Sequence, residues 1–161
     1  MTAWRAAFVA VLGCVVAPGA VAHAQESRVQ PEVRVDALVA RYAALEGGIG
    51  VNIPAGYYVR IGLLAAGGVD DEAGFPHAAG RADVTARFLL DPFRQARWGL
   101  SVGGGVSVRA READRVRPYL LAFMDLEGPR ARGGWSPALQ LGLGGGVRVG
   151  AGIRWGAERM R

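Results

Sequence analysis

Apolar and polar residues alternate one for one along most of this chain, and a period of two is the mark of β-strands with two unlike faces. Six stretches carry it. In the first, about 33–53, Val35, Ala37, Val39, Leu45, Ile49, Val51 and Ile53 share a face with Arg41 as an intruder, and Arg34, Asp36, Tyr42, Glu46 and Asn52 share the other. The second, about 57–67, sets Val59, Ile61 and Leu63 against Arg60 and Gly62. The third, about 81–91, sets Ala82, Val84, Ala86, Phe88 and Leu90 against Arg81, Asp83, Thr85 and Arg87. The fourth, about 97–109, has Trp98, Leu100, Val102, Val106 and Val108 opposite Ser101, Gly103, Gly105, Ser107 and Arg109. The fifth, about 117–127, places Leu120, Ala122, Met124 and Leu126 opposite Arg117, Asp125 and Glu127, with Tyr119, Leu121 and Phe123 mixed into the polar side. The sixth, about 138–155, has Leu139, Leu141, Leu143, Val147, Val149, Ile153 and Trp155 opposite Gln140, Gly142, Arg148, Gly150, Gly152 and Arg154.

The segments between these runs read as connections. Pro54-Ala55-Gly56 is a tight turn, and 68–80, 91–96, 109–116 and 128–134 are loops short enough for antiparallel neighbours. The expected architecture is all-β, an antiparallel meander β-barrel. A two-residue hairpin inside the first or sixth stretch would flip the parity of its apolar face, and the parity is unbroken. Each is therefore expected to be one long strand bent at Gly47-Gly48 or Gly144-Gly145-Gly146. That makes six strands; splitting both stretches makes eight.

The N-terminus departs from the pattern. Arg5 gives a positive start, Ala6 to Val16 is apolar, and Ala22-His23-Ala24 is a small-x-small site ahead of Gln25. This is the form of a cleaved secretory signal peptide over 1–24, leaving a barrel domain over 25–161. The apolar run is short for a membrane span and Pro18-Gly19 follows it. A lipid on Cys14 after Val11-Leu12-Gly13 is the weaker variant, since apolar sequence continues past it.

Composition then narrows the chemistry. The 161 residues include 25 glycines, 19 basic residues that are all arginine, and a formal charge of +5. Removing 1–24 takes away Cys14 and His23, so disulfides, thiolate metal sites and cysteine catalysis are excluded from the exported part. His77 is then the sole histidine; with no serine near it in Gly74-Phe75-Pro76-His77-Ala78, it reads as a solvated loop residue and not as a triad member. Asp70-Asp71-Glu72 matches no calcium-loop spacing and reads as a solvated acidic turn. Gly142-Leu143-Gly144-Gly145-Gly146 lacks the third glycine of a dinucleotide fingerprint, because Val147 stands there, and without lysine there is no P-loop. No catalytic, cofactor-binding or metal residue is assigned, and neither nucleotide nor nucleic acid is expected as a partner. The arginines outside the strands fall in 109–117 and in Pro129-Arg130-Ala131-Arg132, where they read as solvated loops, or as contacts to lipid phosphates at a membrane rim.

Alternation does not say which face is inside. In a water-soluble barrel the apolar face is the core; in a membrane barrel it faces lipid and the polar face lines the lumen. Three features favour the membrane. Glycine crowds the polar face at Gly99, Gly103, Gly105, Gly142, Gly144, Gly146, Gly150 and Gly152, which weakens a solvated strand but makes room for long arginines in a narrow lumen. Arg60, Arg87, Arg109, Arg148 and Arg154 share that face with Glu46, Asp83, Asp125 and Glu127, as paired lumen charges would. Trp98, Trp155 and Tyr57 lie at strand ends, where interfacial aromatics sit.

With these features, and with the phrases Gly50-Val51-Asn52-Ile53-Pro54-Ala55-Gly56-Tyr57-Tyr58-Val59-Arg60 and Phe88-Leu89-Leu90-Asp91-Pro92-Phe93-Arg94, residues 33–155 resemble small outer-membrane β-barrel proteins of Gram-negative bacteria. The resemblance implies a cell outer-membrane location, outer-membrane lipids as neighbours, and a structural or interaction role without catalysis. It implies no shared active site. The alternative is a soluble periplasmic or secreted β-barrel that binds a lipid or other apolar ligand.

Overall fold

The structure, a computed structural model, describes residues 29–72, 75–93, 95–111 and 114–156. The signal-peptide assignment for 1–24, the start at Gln25, Cys14 and His23 lie outside the described residues.

Eight strands form: β1 (Gln30–Val39), β2 (Ala43–Pro54), β3 (Val59–Glu72), β4 (Phe75–Leu89), β5 (Gly99–Arg111), β6 (Asp114–Glu127), β7 (Trp135–Leu143) and β8 (Val147–Trp155). Each pairs antiparallel with the next, and β8 returns to β1, so the sheet closes as a meander barrel. Closure removes both edges of the sheet over its paired length, which is how an all-antiparallel sheet avoids pairing with other chains.

The expectation of six strands is corrected to eight. The stretches 33–53 and 138–155 are each a hairpin, turning at 40–42 and 144–146. Partners in an antiparallel ladder share a face, so a turn containing an odd number of residues keeps the parity of the apolar face. Here Val39 pairs with Ala43 and Leu143 with Val147, each pair separated by three residues. Three-residue hairpin turns are common and are often served by a residue of positive φ; Gly145 supplies φ 72° in the second. Arg41, the intruder on the apolar face of the first stretch, lies in the turn and not on a strand.

Two expected loops are also strand. Residues 68–72 end β3 and 75–80 begin β4, while 109–111 end β5 and 114–116 begin β6. Polar and small residues there misread as turn chemistry; Asp70 and Arg109 in fact continue the alternation inwards, and both are buried. The strand-bearing part also starts earlier than residue 33, because Gln30 and Glu32 continue the inward series of Arg34 and Asp36 while Pro31 points outwards. The expected turn 54–56 falls at 55–58, with Gly56 at φ 94°, the expected connection 91–96 widens to 90–98, and 128–134 stands where the sequence places it. With eight strands these three connections share one end of the barrel with the start of β1 and the end of β8, called here the terminal end. The opposite, far end carries the short turns 40–42 and 144–146.

Candidate functional site

The faces are sorted without ambiguity. Val35, Leu45, Ile49, Val69, Val84, Val106, Leu120, Met124, Leu141 and Val149, from all of β1 to β8, point outwards and are more than a third exposed. Leu100, Val102, Leu143 and Val147 do the same, while Ser101, Gln140 and Arg148 are buried inside. A large apolar surface turned to solvent on every strand, around a charged interior, inverts the distribution of a water-soluble domain. Every strand has at least the nine residues of β7 and β8, about the 9–11 that a tilted strand needs to cross hydrocarbon.

Aromatic side chains mark the terminal end. Trp98, Trp135, Trp155, Tyr57, Tyr58, Phe88 and Phe93 all lie at strand ends or turns there and are exposed. Tyr58 stacks on Phe88 with centroids 5.8 Å apart, and Phe93 meets Tyr58 edge-on. The three aromatics singled out in the sequence are part of this single girdle.

The lumen holds an ion-pair network, and many of its bonds reach across the barrel to strands that the backbone ladder leaves unpaired. Near the terminal end, Arg154 on β8 meets both carboxylate oxygens of Asp125 on β6 at 2.7 and 2.6 Å, and its Nε donates to Glu32 of β1 at 2.7 Å. Arg60 of β3 meets Glu127 of β6 at 3.1 Å and donates to Gln30 of β1 at 3.0 Å. Arg87 of β4 lies 3.6 Å from Asp125 and over the Phe123 ring. In the middle, Arg34 of β1 pairs with Asp36 and donates to Gln140 of β7 at 2.6 Å. Arg81 of β4 pairs with Asp36, with Glu46 of β2 at 2.8 Å and with Asp83 at 3.2 Å. Arg148 of β8 reaches Asp83 at 2.9 Å and Ser107 at 3.3 Å. Towards the far end, Arg109 of β5 meets Glu46 at 2.9 Å, and Arg111 meets Asp70 of β3 at 2.6 Å. Tyr42 lies at this mouth, with its hydroxyl 2.9 Å from Arg109 and its ring against Arg109 and Arg111.

Such a network costs desolvation, so replacing it by apolar packing is not intrinsically unfavourable; breaking it on one side is, because a buried charge is then left alone. Its geometry matters for shape. Each cross-lumen bond ties strands two or more apart, which the ladder cannot do. Two gaps among the described residues are small: one beside Glu32, Arg34, Asn52 and Arg87 offers about 20 Å³ of room for a water-sized sphere, and one beneath Tyr42 and Tyr119 about 10 Å³. A water molecule fits such a space; an aqueous channel does not.

Several sequence readings change here. His77 is not a solvated loop residue: it lies on β4 opposite Asp70 of β3, half-buried with its Nδ1 covered. Asp70 is not part of a solvated acidic turn but a fully buried partner of Arg111 and Arg109; Asp71 beside it is exposed. Arg109 and Arg111 belong to the lumen; Arg117 shares the ladder face of Arg109 but is exposed at the far rim, and Arg130 and Arg132 are exposed in the connection 128–134. The inward glycines have more than one cause. Gly150 makes room for an arginine, since a Cβ there would sit 2.2 Å from Asp36 Oδ1 and 2.3 Å from Arg34 Nη2, and a Cβ at Gly152 would sit 2.8 Å from the Arg34 Cβ. At Gly103 and Gly142 the space goes to Phe123, and at Gly105 a Cβ would fall 2.0 Å from the Val84 carbonyl oxygen of the next strand. Leu38, Leu121 and Phe123, apolar residues facing inwards, were legible only as exceptions to the alternation. Among the described residues no group of three or more His, Cys, Asp or Glu is placed to hold a metal ion.

No family model matches this chain, and no curated protein matches it. Solved structures do: the crystal structure of Neisserial surface protein A is similar over 83% of this chain and 99% of that one, with a TM-score of 0.60 and 11% sequence identity. At that identity the likeness is one of fold, a small closed β-barrel.

Proposed function

We propose that this chain is an exported outer-membrane β-barrel with a structural or interaction role and no catalysis. The observation that carries the reading is the inversion: an apolar belt on all eight strands around a lumen of paired charges. Water-soluble barrels that carry apolar ligands need the opposite arrangement, an apolar interior with room in it. Among the described residues the interior is charged, and the gaps beside Glu32 and beneath Tyr42 are neither apolar nor large enough for such a ligand. The aromatic girdle at the terminal end suits a membrane–water interface, and the similar solved barrel is named as a surface protein. The form of residues 1–24 supplies the export route, with the mature chain starting at Gln25. Lipids of the outer membrane are then its immediate neighbours.

Fractionation tests this directly. The protein is expected in the outer-membrane fraction, resistant to carbonate and salt extraction, released by detergent, and shifting in electrophoretic mobility on boiling as closed barrels do. Recovery in the soluble periplasmic fraction without detergent overturns it.

A further inference from the structure

Asn52 of β2, Gly62 of β3 and Thr85 of β4 pair in register, so three inward positions on neighbouring strands stand at one level of the lumen. Gly62 leaves a hollow there. A Cβ on it would fall 2.5 Å from Thr85 Oγ1 and 3.3 Å from Asn52 Oδ1, so both oxygens lean over the bare glycine backbone. The hollow belongs to the gap of about 20 Å³ described above, which Leu121 of β6 and Gln140 of β7 help to line from across the barrel.

The gap also carries buried polar atoms that lack a hydrogen-bond partner among the described residues. They belong to Arg87 and Asp83, which flank Thr85 on β4 and are each 4% exposed. Arg87 presents Nε and Nη1 unbonded; its contacts are Asp125, 3.6 Å from Nη2, and the Phe123 ring. Asp83 gives Oδ2 to Arg148 and Arg81, while its Oδ1 is unbonded. A buried donor and a buried acceptor each carry a desolvation cost unless something meets them.

The lining selects what that is. A species that meets Arg87 must accept a hydrogen bond, and one that meets Asp83 Oδ1 must donate. Water does both. An inorganic anion only accepts and would stand against the carboxylates of Asp83 and Glu32, and a metal cation would stand against Arg87 and Arg34. The room suits a single water, which needs about 10–15 Å³ and two to four polar partners.

We propose that one ordered water is built into the lumen over Gly62, accepting from Arg87 and donating to Asp83 Oδ1 and Asn52 Oδ1. It ties the ion pairs near the terminal end to the middle group along β4, as the 3.4 Å contact of Arg34 with Glu32 does along β1. The inference concerns the closed lumen and holds whatever surrounds the outer face.

The test uses the protein refolded in detergent micelles, its closure confirmed by heat-dependent electrophoretic mobility. Oxygen-17 magnetic relaxation dispersion counts the long-lived internal waters. Gly62→Ala, whose methyl occupies the hollow, should lower that count by one, and Gly47→Ala, whose methyl meets nothing within 4 Å, should leave it unchanged. Thr85→Leu fills the same hollow from the neighbouring strand and should also remove one water, so the test stands even if Gly62→Ala does not fold. Crystals grown in sodium bromide identify the species. One density peak is expected within about 3.2 Å of both Arg87 and Asp83 Oδ1, without a bromine anomalous signal. An unchanged count in the filled variants, a direct Arg87–Asp83 bond, or an anomalous peak at this point overturns the proposal.

Discussion

Arg154 and Asp125 face each other through two parallel hydrogen bonds, 2.7 and 2.6 Å long, although their strands, β8 and β6, are separated by β7. Both side chains are buried, and Glu32 from β1 adds a third bond to the same guanidinium. The pair thereby holds three strands at fixed separation inside the barrel.

Removing one member should be far worse than removing both. Asp125→Asn leaves Arg154 under-neutralised in a buried site and is expected to cost about 3–5 kcal/mol. The double change Asp125→Leu with Arg154→Met should cost clearly less than the sum of its single changes. Urea unfolding of the refolded protein in micelles, followed by tryptophan fluorescence, measures both.

The outer face should tolerate volume and reject charge. Ile49 lies midway along β2, is 68% exposed, and pairs with Val33 and Ala65. Ile49→Arg is expected to cost roughly 2–4 kcal/mol of folding into bilayers, while Ile49→Phe should be close to neutral. Folding yield and urea midpoints in vesicles separate the two; equal, large losses would indicate a packed core position.

Glycine positions should differ by what surrounds them. A Cβ at Gly103 would lie 2.4 Å from the Ala86 carbonyl oxygen and 2.5 Å from the Phe123 ring, whereas at Gly47 it would meet nothing within 4 Å. Gly103→Ala should therefore destabilise by about 1–3 kcal/mol. Gly47→Ala should stay within about 0.5 kcal/mol. The same unfolding measurement, run on both variants, checks the contrast.

Conduction should be absent. Among the described residues, the gaps beside Glu32 and beneath Tyr42 offer about 20 and 10 Å³ of water-sized room, and paired charges cross the lumen between them. Purified protein in planar bilayers is expected to give no steady porin-like current. Large, stable conductance steps would show that the network opens.

Export should begin with cleavage after Ala24. Intact mass of the purified protein is expected to correspond to a chain starting at Gln25, without lipid on Cys14. A mass that includes residues 1–24 contradicts the assignment.

The alternation by itself determined that this is an all-β chain of antiparallel strands with one apolar and one charged face, because side chains of a strand point to opposite sides whatever the strand packs against. It also determined that Arg34, Asp83, Arg87, Asp125, Arg148 and Arg154 share a face. Three things waited for the tertiary structure. Strand number did, because turns of three residues preserve parity and are invisible to a period of two, as Val39–Ala43 and Leu143–Val147 show. The inside of the barrel did, because the same alternation serves a soluble and a membrane barrel, and only closure shows Ile49 outside and Glu46 within. Pairing did, because Arg154 finds Asp125 and Arg81 finds Glu46 across the lumen, at separations set by barrel curvature and not by sequence distance. The glycines follow the same rule: Gly103, Gly105 and Gly150 look alike along the chain, and three different neighbours make each of them necessary.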